Sequence, residues 1–274
     1  MKLAQIIHQN QHFLAEVSEE KVYPLDFKGD MIDLIQWENP LPAKQSTGIN
    51  IDDVEFLPPV SRPSKIIAIG LNYRDHASET NIQIPESPVV FTKFSNSLIG
   101  HNKAVCWQKH ITQQVDYEAE LAIIIKKEMY HCSPENIYPN IWGYTCANDI
   151  SARDLQFGDG QWVRGKSLNT FCPLGPWLVL ADAVPDPHAL DIQCLVNGTI
   201  MQKSNTSQMI FPIPELISFL SDHFTLYPGD VILTGTPSGV GAFRYPPIFL
   251  KHGDRMVVDI ESIGQLHNDC QIKE

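Results

Sequence analysis

The sequence predicts a mainly β protein with some α-helix, arranged as a β-sandwich or barrel-like roll with helices at its rim. Most segments with a clear structural preference are short, extended and separated by turn residues, which is typical of sandwiches and barrels. The 20 prolines and 16 glycines among the 274 residues interrupt long helical patterns. With 43% hydrophobic and 19% charged residues, the composition is that of an ordinary globular protein.

Two parts of the chain differ in pattern, which predicts a small N-terminal subdomain (residues 1–60) and a main domain (residues 61–274). The first part has two short extended pieces, an apolar segment at residues 30–35 and a proline-rich linker. The main domain opens with Lys65–Ile69, a β-branched run that Gly70 stops. Further strands are predicted at Val89–Lys93, Ala104–Gln108, Asp116–Ile125, Trp142–Ala147, Trp177–Leu180, Ile192–Val196, Val231–Thr234 and Met256–Ile260.

One hairpin and two helices complete the predicted elements of the main domain. The dipeptide Asn197-Gly198 stands between two extended pieces, which predicts a two-residue hairpin turn. The segment Ile213–His223 is predicted to be helical, with Pro214 in the first turn, where a missing N–H does no harm. A shorter helix is predicted at Ser133–Tyr138.

The charge and cysteine patterns exclude several classes of protein. The formal net charge is −12 and the pI is about 5.2, so nucleic acid and anionic membranes are not expected partners, since both need a basic surface. No apolar run approaches the roughly 18 residues of a membrane span, and the first ten residues lack the apolar core of a secretion signal. The six cysteines are scattered without a Cys-x-x-Cys pair. We therefore expect reduced thiols and a cytoplasmic protein.

An acidic cluster is the most informative local pattern. Side chains alternate faces along a strand, so Glu118 and Glu120 in the predicted strand would point the same way, about 7 Å apart at their Cα atoms. Asp149 follows another apolar strand and would join them if the two strands are neighbours. Three carboxylates suit Mg²⁺, Mn²⁺ or Ca²⁺ better than zinc. The alternative is an edge strand that turns its glutamates towards water.

Five motifs follow one another in a fixed order between about Lys65 and about Asp259. They are Gly70–Glu79, Asp116–Leu121, Asn148–Gln156, Gly165–Ser167 with Pro173–Pro176, and Thr234–Gly241. Each motif alone is a weak signal, but together and in this order they resemble the fumarylacetoacetate hydrolase family.

The resemblance implies a mixed β-sandwich roll with peripheral helices and, usually, a homodimer. It also implies one divalent ion, Mg²⁺ or Mn²⁺ with Ca²⁺ as a substitute in crystals, on Glu118, Glu120 and Asp149. Members of the family act on 2-oxo acids and 1,3-dicarbonyl compounds by C–C hydrolysis, decarboxylation, isomerisation or hydration. A small substrate of this kind is the expected partner.

Seven further residues take roles from the same resemblance. His76 and Glu79 would share a helix face and move a proton, although their spacing alone also fits a solvent-facing pair. Lys166 would stabilise negative charge on the substrate, the alternative being a surface lysine in a loop. The residues expected to bind the substrate are Arg153, Gln156, Thr236 and Tyr73.

Three local details qualify these assignments. Arg153 has an alternative role, an ion pair with Asp154 or Asp159. Residues from about Asn72 to Ile84 are expected to form a mobile lid that excludes water. Where the family usually has Phe-Asp after the Lys-Ser pair, this chain has leucine and asparagine at positions 168 and 169, which alters the surroundings of Lys166.

The leading interpretation is a divalent-metal-dependent hydrolase that cleaves a C–C bond of an acylpyruvate or related 2,4-dioxo acid through a metal-bound enolate. Alternatives on the same site are an oxaloacetate decarboxylase and a 2-hydroxyhepta-2,4-dienedioate isomerase or hydratase. A non-catalytic binding protein forms a separate class. The acid–base pair His76 and Glu79 beside three candidate ligands argues against that class.

Overall fold

The computed structural model describes all 274 residues and confirms the mainly β class. Nineteen strands form three sheets, and five short α-helices lie around them. The strands are β1 (Lys2–His8), β2 (Gln11–Ser18), β3 (Lys21–Pro24), β4 (Ile49–Asn50), β5 (Glu55–Phe56), β6 (Ile66–Gly70), β7 (Val89–Lys93), β8 (Leu98–Ile99), β9 (Ala104–Gln108), β10 (Val115–Asp116), β11 (Ala119–Ile125), β12 (Ile141–Asn148), β13 (Ser151–Ala152), β14 (Cys172–Leu180), β15 (Asp191–Val196), β16 (Thr199–Asn205), β17 (Val231–Leu233), β18 (Arg255–Ile260) and β19 (Gly264–Lys273). The helices are α1 (Met31–Ile35), α2 (Arg74–Thr80), α3 (Arg153–Gly158), α4 (Val163–Lys166) and α5 (Ile213–His223).

A twelve-stranded sheet carries most of the molecule. Its main path runs β4-β3-β2-β1-β14-β12-β11-β17-β6-β7, with β5 on β1 and β8 on β14. Strand β11 lies near the middle, and all seven of its residues are buried. This explains its nearly continuous apolar sequence, since a strand covered on both faces has no water-facing side.

A second sheet of five strands covers one face of the first. Its order is β16-β15-β18-β19-β9. Leu121 and Ile123 of β11 belong to the same apolar cluster as Val258 of β18 and Leu266 of β19. The two sheets therefore form the predicted sandwich around a shared core, whose burial is the main stabilising contribution.

The N-terminal strands extend the large sheet. Strand β1 pairs with β14 through Lys2 and Val179, and β2 and β3 continue the sheet outwards. The first 60 residues also have an apolar cluster of their own, which includes Ile6, Val22 and Phe56. The division into two units at residue 60 stays a prediction. In the structure, one continuous sheet includes strands from both sides of that position.

Several predicted elements are confirmed, and the predicted helix at 133–138 is wrong. Strands β7 and β9, the turn between β15 and β16 and helix α5 have the predicted positions. Residues 133–140 form instead two short 3₁₀ turns, Pro134–Asn136 and Tyr138–Asn140. Pro139 contributes to this, because a proline has no backbone N–H to continue an α-helical hydrogen-bond ladder. Helix α5 is the longest helix at 11 residues, and none of the helices has the length and apolarity needed to cross a membrane.

Candidate active site

Three carboxylates meet where β11 begins and β12 ends. Glu118, Glu120 and Asp149 are buried, and each offers an oxygen within 4.8 Å of the oxygens of the other two. Glu120 lies in β11, while Asp149 directly follows β12, whose residue Asn148 pairs with Ala119. The antiparallel pairing of these two strands therefore brings the carboxylates together.

The predicted continuous strand at 116–125 is wrong at residues 117 and 118. Strand β10 ends at Asp116 and β11 starts at Ala119, so Glu118 lies in a two-residue break. Here the backbone N–H of Glu118 donates to the side-chain oxygen of Asn148 at 2.9 Å instead of to a backbone carbonyl of a neighbouring strand. The carboxylates converge through this break and through strand pairing, not through simple alternation along one strand.

Two buried lysines neutralise part of this acidic cluster. The Lys166 ammonium donates to Glu118 Oε2 and to Asp149 Oδ2, both at 2.6 Å. The Lys93 ammonium donates to Asp149 Oδ1 at 2.5 Å and to the carbonyl of Ile150 at 3.2 Å. Lys93 stands at the end of β7 and was not identified from the sequence, because its partners lie far away along the chain.

Arg153 and Asp116 form a second buried ion pair beside the first. Arg153 Nε donates to Asp116 Oδ2 at 2.9 Å, and its Nη2 lies 2.7 Å from Glu118 Oε1. The other oxygen of Asp116 accepts the backbone N–H of Gly241 at 2.7 Å. The alternative partners predicted for Arg153, Asp154 and Asp159, are wrong, and no role for Asp116 in the site was predicted.

The surroundings of Glu118 and Glu120 shift the pKa values of these two carboxyl groups in opposite directions. Burial alone would raise the pKa of Glu118, but Lys166 and Arg153 overcome this effect and lower it to about 2. For Glu120, burial and the charges of Asp149 and Glu118 raise the pKa well above its ordinary value, although a Gly235 N–H at 2.6 Å opposes the shift. Glu120 is thus the carboxylate that lacks a cationic partner.

The donor set fits a hard divalent cation. Four buried carboxylates (Asp116 and the three converging ones) face three buried cations (Lys93, Arg153 and Lys166). When all four carboxylates are ionised, as on a bound cation, one negative charge has no cationic partner in the protein. Carboxylate oxygens are preferred ligands of Mg²⁺ and Mn²⁺. The residues that would hold such an ion are Glu118, Glu120 and Asp149.

His76 and Glu79 form a pair on helix α2. The Nδ1 atom of His76 lies 3.2 Å from Glu79 Oε2, across one helical turn as the spacing predicts. Glu79 also accepts the backbone N–H of Gly239, at 3.0 and 3.1 Å. Its carboxylate therefore joins α2 to the loop after β17 and holds the imidazole ring in one orientation. Catalysis by this pair stays a prediction.

The four residues predicted to bind substrate differ in position. Arg153, Gln156 and Thr236 line the same cavity as His76. The hydroxyl of Thr236 is engaged by the protein itself, since it donates to a backbone carbonyl at 3.0 Å. Tyr73 is fully buried and does not line the cavity, and its hydroxyl has no hydrogen-bond partner. Burial raises the pKa of the Tyr73 hydroxyl most, and the negative charges of Glu120 and Asp75 raise it further.

A cavity of about 80 Å³ is lined by His76 and by Glu118 of the acidic cluster. Depressions of about 630, 600 and 780 Å³ elsewhere on the surface have none of the three converging carboxylates in their walls. The small cavity is therefore the candidate active site. Its lining residues are Ile69, Gly70, Leu71, His76, Ile82, Phe91, Glu118, Arg153, Gln156, Phe157, Trp162, Lys166, Thr236 and Phe243.

The predicted lid has a fixed start and an exposed end. The side chain of Asn72 is buried and bonds to the backbone of Phe211 and Thr234. At the other end, Ile82 and Ile84 are each 45% exposed. The mobility of the lid stays a prediction, and this contrast in burial favours residues after α2 as the part that moves.

Comparison with known proteins agrees with this fold. The family profile described as "Fumarylacetoacetate (FAA) hydrolase C-terminal" matches residues 65–271. The protein therefore has the sandwich fold of an enzyme family. The chain belongs to the fumarylacetoacetate hydrolase family.

Relatives and solved structures of several activities resemble the chain. It is 48% identical over 227 residues to "Oxaloacetate tautomerase Fahd2a, mitochondrial" of Rattus norvegicus, which covers 82% of this chain and 72% of the relative. A fumarylacetoacetate hydrolase of Exiguobacterium antarcticum has a TM-score of 0.90 at 33% identity, with 100% of both chains covered. A 2-hydroxyhepta-2,4-diene-1,7-dioate isomerase of Mycobacterium marinum has a TM-score of 0.85 at 32% identity, with 100% of this chain and 99% of that one covered.

Proposed function

We propose that the protein is a divalent-metal-dependent enzyme that catalyses the keto–enol tautomerisation of a 2-oxo acid. The observation that carries the proposal is that His76, Lys166 and one carboxylate of the acidic cluster, Glu118, line one cavity. Tautomerisation needs a group that moves a proton at C3 and a site that stabilises negative charge on the oxygen at C2. The name of the rat relative, an oxaloacetate tautomerase, supports this reaction type and suggests the first substrate to test.

The proton transfer is assigned to His76. Glu79 engages Nδ1 of the ring at 3.2 Å, which leaves Nε2 as the nitrogen available to the substrate. In the direction from keto to enol, His76 takes a proton from C3 and then returns it to the oxygen at C2, so that no net proton is gained or lost. Histidine suits this role because its ordinary pKa lies near neutral pH, and such acid–base groups typically contribute about 10²–10⁴-fold to rates.

Charge stabilisation is assigned to the acidic cluster and its lysine. A divalent ion on Glu118, Glu120 and Asp149 would supply Lewis-acid stabilisation of negative charge on the substrate oxygens. Lys166 is buried within 2.6 Å of two of these carboxylates. Two of its three N–H groups are engaged there, and the third can donate a hydrogen bond to the developing enolate.

One observation favours a second activity, the hydrolysis of an acylpyruvate or related 2,4-dioxo acid. His76 lines the cavity and is itself buried, but its ring lies 5.9 Å between centroids from Phe243, which is 39% exposed. A water molecule that enters the cavity past Phe243 would reach the histidine that moves the proton. With an activated water, the same residues would cleave the C–C bond of a 2,4-dioxo acid.

The experiment follows the decay of the enol by ultraviolet absorbance, with oxaloacetate as substrate and either Mg²⁺ or EDTA present. We expect acceleration over buffer containing Mg²⁺ alone, and its loss in His76→Ala. The matched control is His223→Ala, an exposed residue at the end of α5 that does not line the cavity. No acceleration by the wild-type protein with any 2-oxo acid would contradict the proposal.

Product analysis separates the other activities. Pyruvate and carbon dioxide from oxaloacetate indicate a decarboxylase, while acetate and pyruvate from acetylpyruvate indicate a hydrolase. A homodimer in the cytoplasm is the expected state, and sedimentation analysis and imaging of a tagged chain test it. The word mitochondrial in the rat protein's name concerns that protein alone.

A further inference from the structure

Four aromatic side chains form part of the cavity wall. Phe91 and Trp162 pack edge to face with centroids 5.3 Å apart, and the Lys166 ammonium lies 5.1 Å from the centre of the Phe91 ring. Phe157 and Phe243 form a second pair with centroids 6.4 Å apart. These four rings define the aromatic wall, which offers apolar surface and no cation to a ligand.

The permanent cations that line the cavity already have partners. Only Lys166 and Arg153 among its lining residues carry a permanent positive charge. Lys166 bonds to two carboxylates of the acidic cluster, and Arg153 bonds to Asp116 and contacts Glu118. A second carboxylate on the substrate would therefore find no free positive charge beside the aromatic wall.

The charge balance of the site also favours one substrate carboxylate. The buried cluster has four carboxylates and three cations, so a divalent ion brings its net charge to +1. A monocarboxylate cancels this charge. A dicarboxylate adds a negative charge beside the aromatic wall, which is unfavourable because apolar rings remove part of its water and offer it no partner.

The position of His76 indicates where the rest of the substrate lies. His76 must reach C3, and its ring is 5.9 Å from the ring of Phe243. A substituent on C3 is therefore directed towards Phe243 and Phe157, which are 39% and 58% exposed at the mouth. A cavity of about 80 Å³ can hold the 2-oxo acid head, while a larger group extends through the mouth between these rings.

We propose that the site selects monocarboxylic 2-oxo acids with an apolar group on C3, arylpyruvates included, over dicarboxylic ones such as oxaloacetate. This inference rests on the proposed function and narrows its substrate class. It assigns the aromatic wall as the part of the protein that determines specificity.

The test compares two ligands with the same oxamate head and different tails. N-phenyloxamate has one carboxylate and an aromatic tail, whereas N-oxalylglycine has a second carboxylate. Their binding to the whole protein with Mg²⁺ is measured by titration calorimetry. We expect N-phenyloxamate to bind about 10- to 100-fold more tightly, which is the usual range for an apolar group in a matching pocket.

Two variants test the assignment to the wall. Phe157→Arg places a cation at the mouth and should reduce the preference for N-phenyloxamate by at least tenfold. Phe224→Arg is the control, since Phe224 is 42% exposed after α5 and does not line the cavity. Tighter binding of N-oxalylglycine to the wild type, or an unchanged preference in Phe157→Arg, would overturn the inference.

Activity separates failure of this inference from failure of the proposed function. We expect a higher kcat/KM for the tautomerisation of phenylpyruvate than for that of oxaloacetate. Faster turnover of oxaloacetate would refute the inference and leave the proposed function standing. No turnover of either acid, together with no binding of either oxamate, would refute both.

Discussion

Replacing Lys93 with methionine tests the charge balance of the acidic cluster. Methionine retains most of the volume of the lysine stem but not the ammonium, which is fully buried and lies 2.5 Å from Asp149 Oδ1. Asp149 would then depend on Lys166 alone, at 2.6 Å. The variant therefore removes one of the three cations that face the four carboxylates of this buried cluster.

The loss of unfolding free energy in Lys93→Met follows from the contacts that Asp149 keeps. Removing one partner of a buried ion pair costs about 3–5 kcal/mol of unfolding free energy. Because Asp149 keeps Lys166, we expect the lower end, about 3 kcal/mol, from the Lys93→Met change. For a chain of this length, that corresponds to a fall in Tm of roughly 6 °C. A divalent ion relieves the added charge, so Mg²⁺ should raise the Tm of the variant more than that of the wild type.

Scanning calorimetry measures the Tm of the wild type and of Lys93→Met, each in EDTA and in Mg²⁺. The control is Lys103→Met, because Lys103 pairs with Glu55 on the surface, where the two side chains are 45% and 41% exposed. Such surface pairs contribute about 0–1 kcal/mol, so its Tm should change by less than about 2 °C. If the Tm of Lys93→Met in EDTA lies within about 1 °C of wild type, the buried pair contributes no more than a surface pair. That result would refute the charge count.

Three other variants test the site and the fold. His76→Ala should lose at least about 10²-fold in turnover while calorimetry shows unchanged Mg²⁺ binding; near-wild-type turnover would place the base elsewhere. Glu120→Ala should weaken Mg²⁺ binding, and unchanged affinity would exclude Glu120 as a ligand. His101 has a pKa lowered to about 4 by burial, His267 and Arg255, so stability present above about pH 6.5 is lost as the pH falls towards 4, because the unfolded chain takes up the proton first. Urea unfolding at pH 7 and pH 4 should show that His101→Gln loses about 1–2 kcal/mol less than wild type, after allowance for partial exposure, and equal losses would contradict this.

The fold could be predicted wherever local pattern and tertiary surroundings agree. Strands β7 and β9 combine β-branched or aromatic residues with flanking turn residues, so their bounds follow from the sequence. Strand β19 was missed because its sequence contains His267, Asn268 and Asp269 in succession. The buried amide of Asn268 is satisfied by the carbonyls of Gly100 and Lys103, partners that no local pattern reveals.

The candidate site shows the same limit. The motifs located the three carboxylates and the pair on α2, because each motif contains its residues within a few positions. Lys93 and Asp116 were missed because their importance depends on partners in other segments. Lys93 bonds to Asp149, 56 residues away, and Asp116 bonds to Arg153, 37 residues away. For Arg153, proximity in sequence predicted the wrong partners.

The distribution of the buried charges also bears on the order of folding. Strands β11 and β12 can pair as a local hairpin, but this pairing brings Glu118 and Asp149 together before Lys93 of β7 and Lys166 of α4 arrive. Such an intermediate carries carboxylates without cationic partners in a core that is losing its water, which is unfavourable. Strand β7 reaches the centre through β6, which pairs in parallel with the distant β17, and closing such long loops slows folding. We therefore expect the hairpin to consolidate late, and divalent cations in the refolding buffer to speed its consolidation.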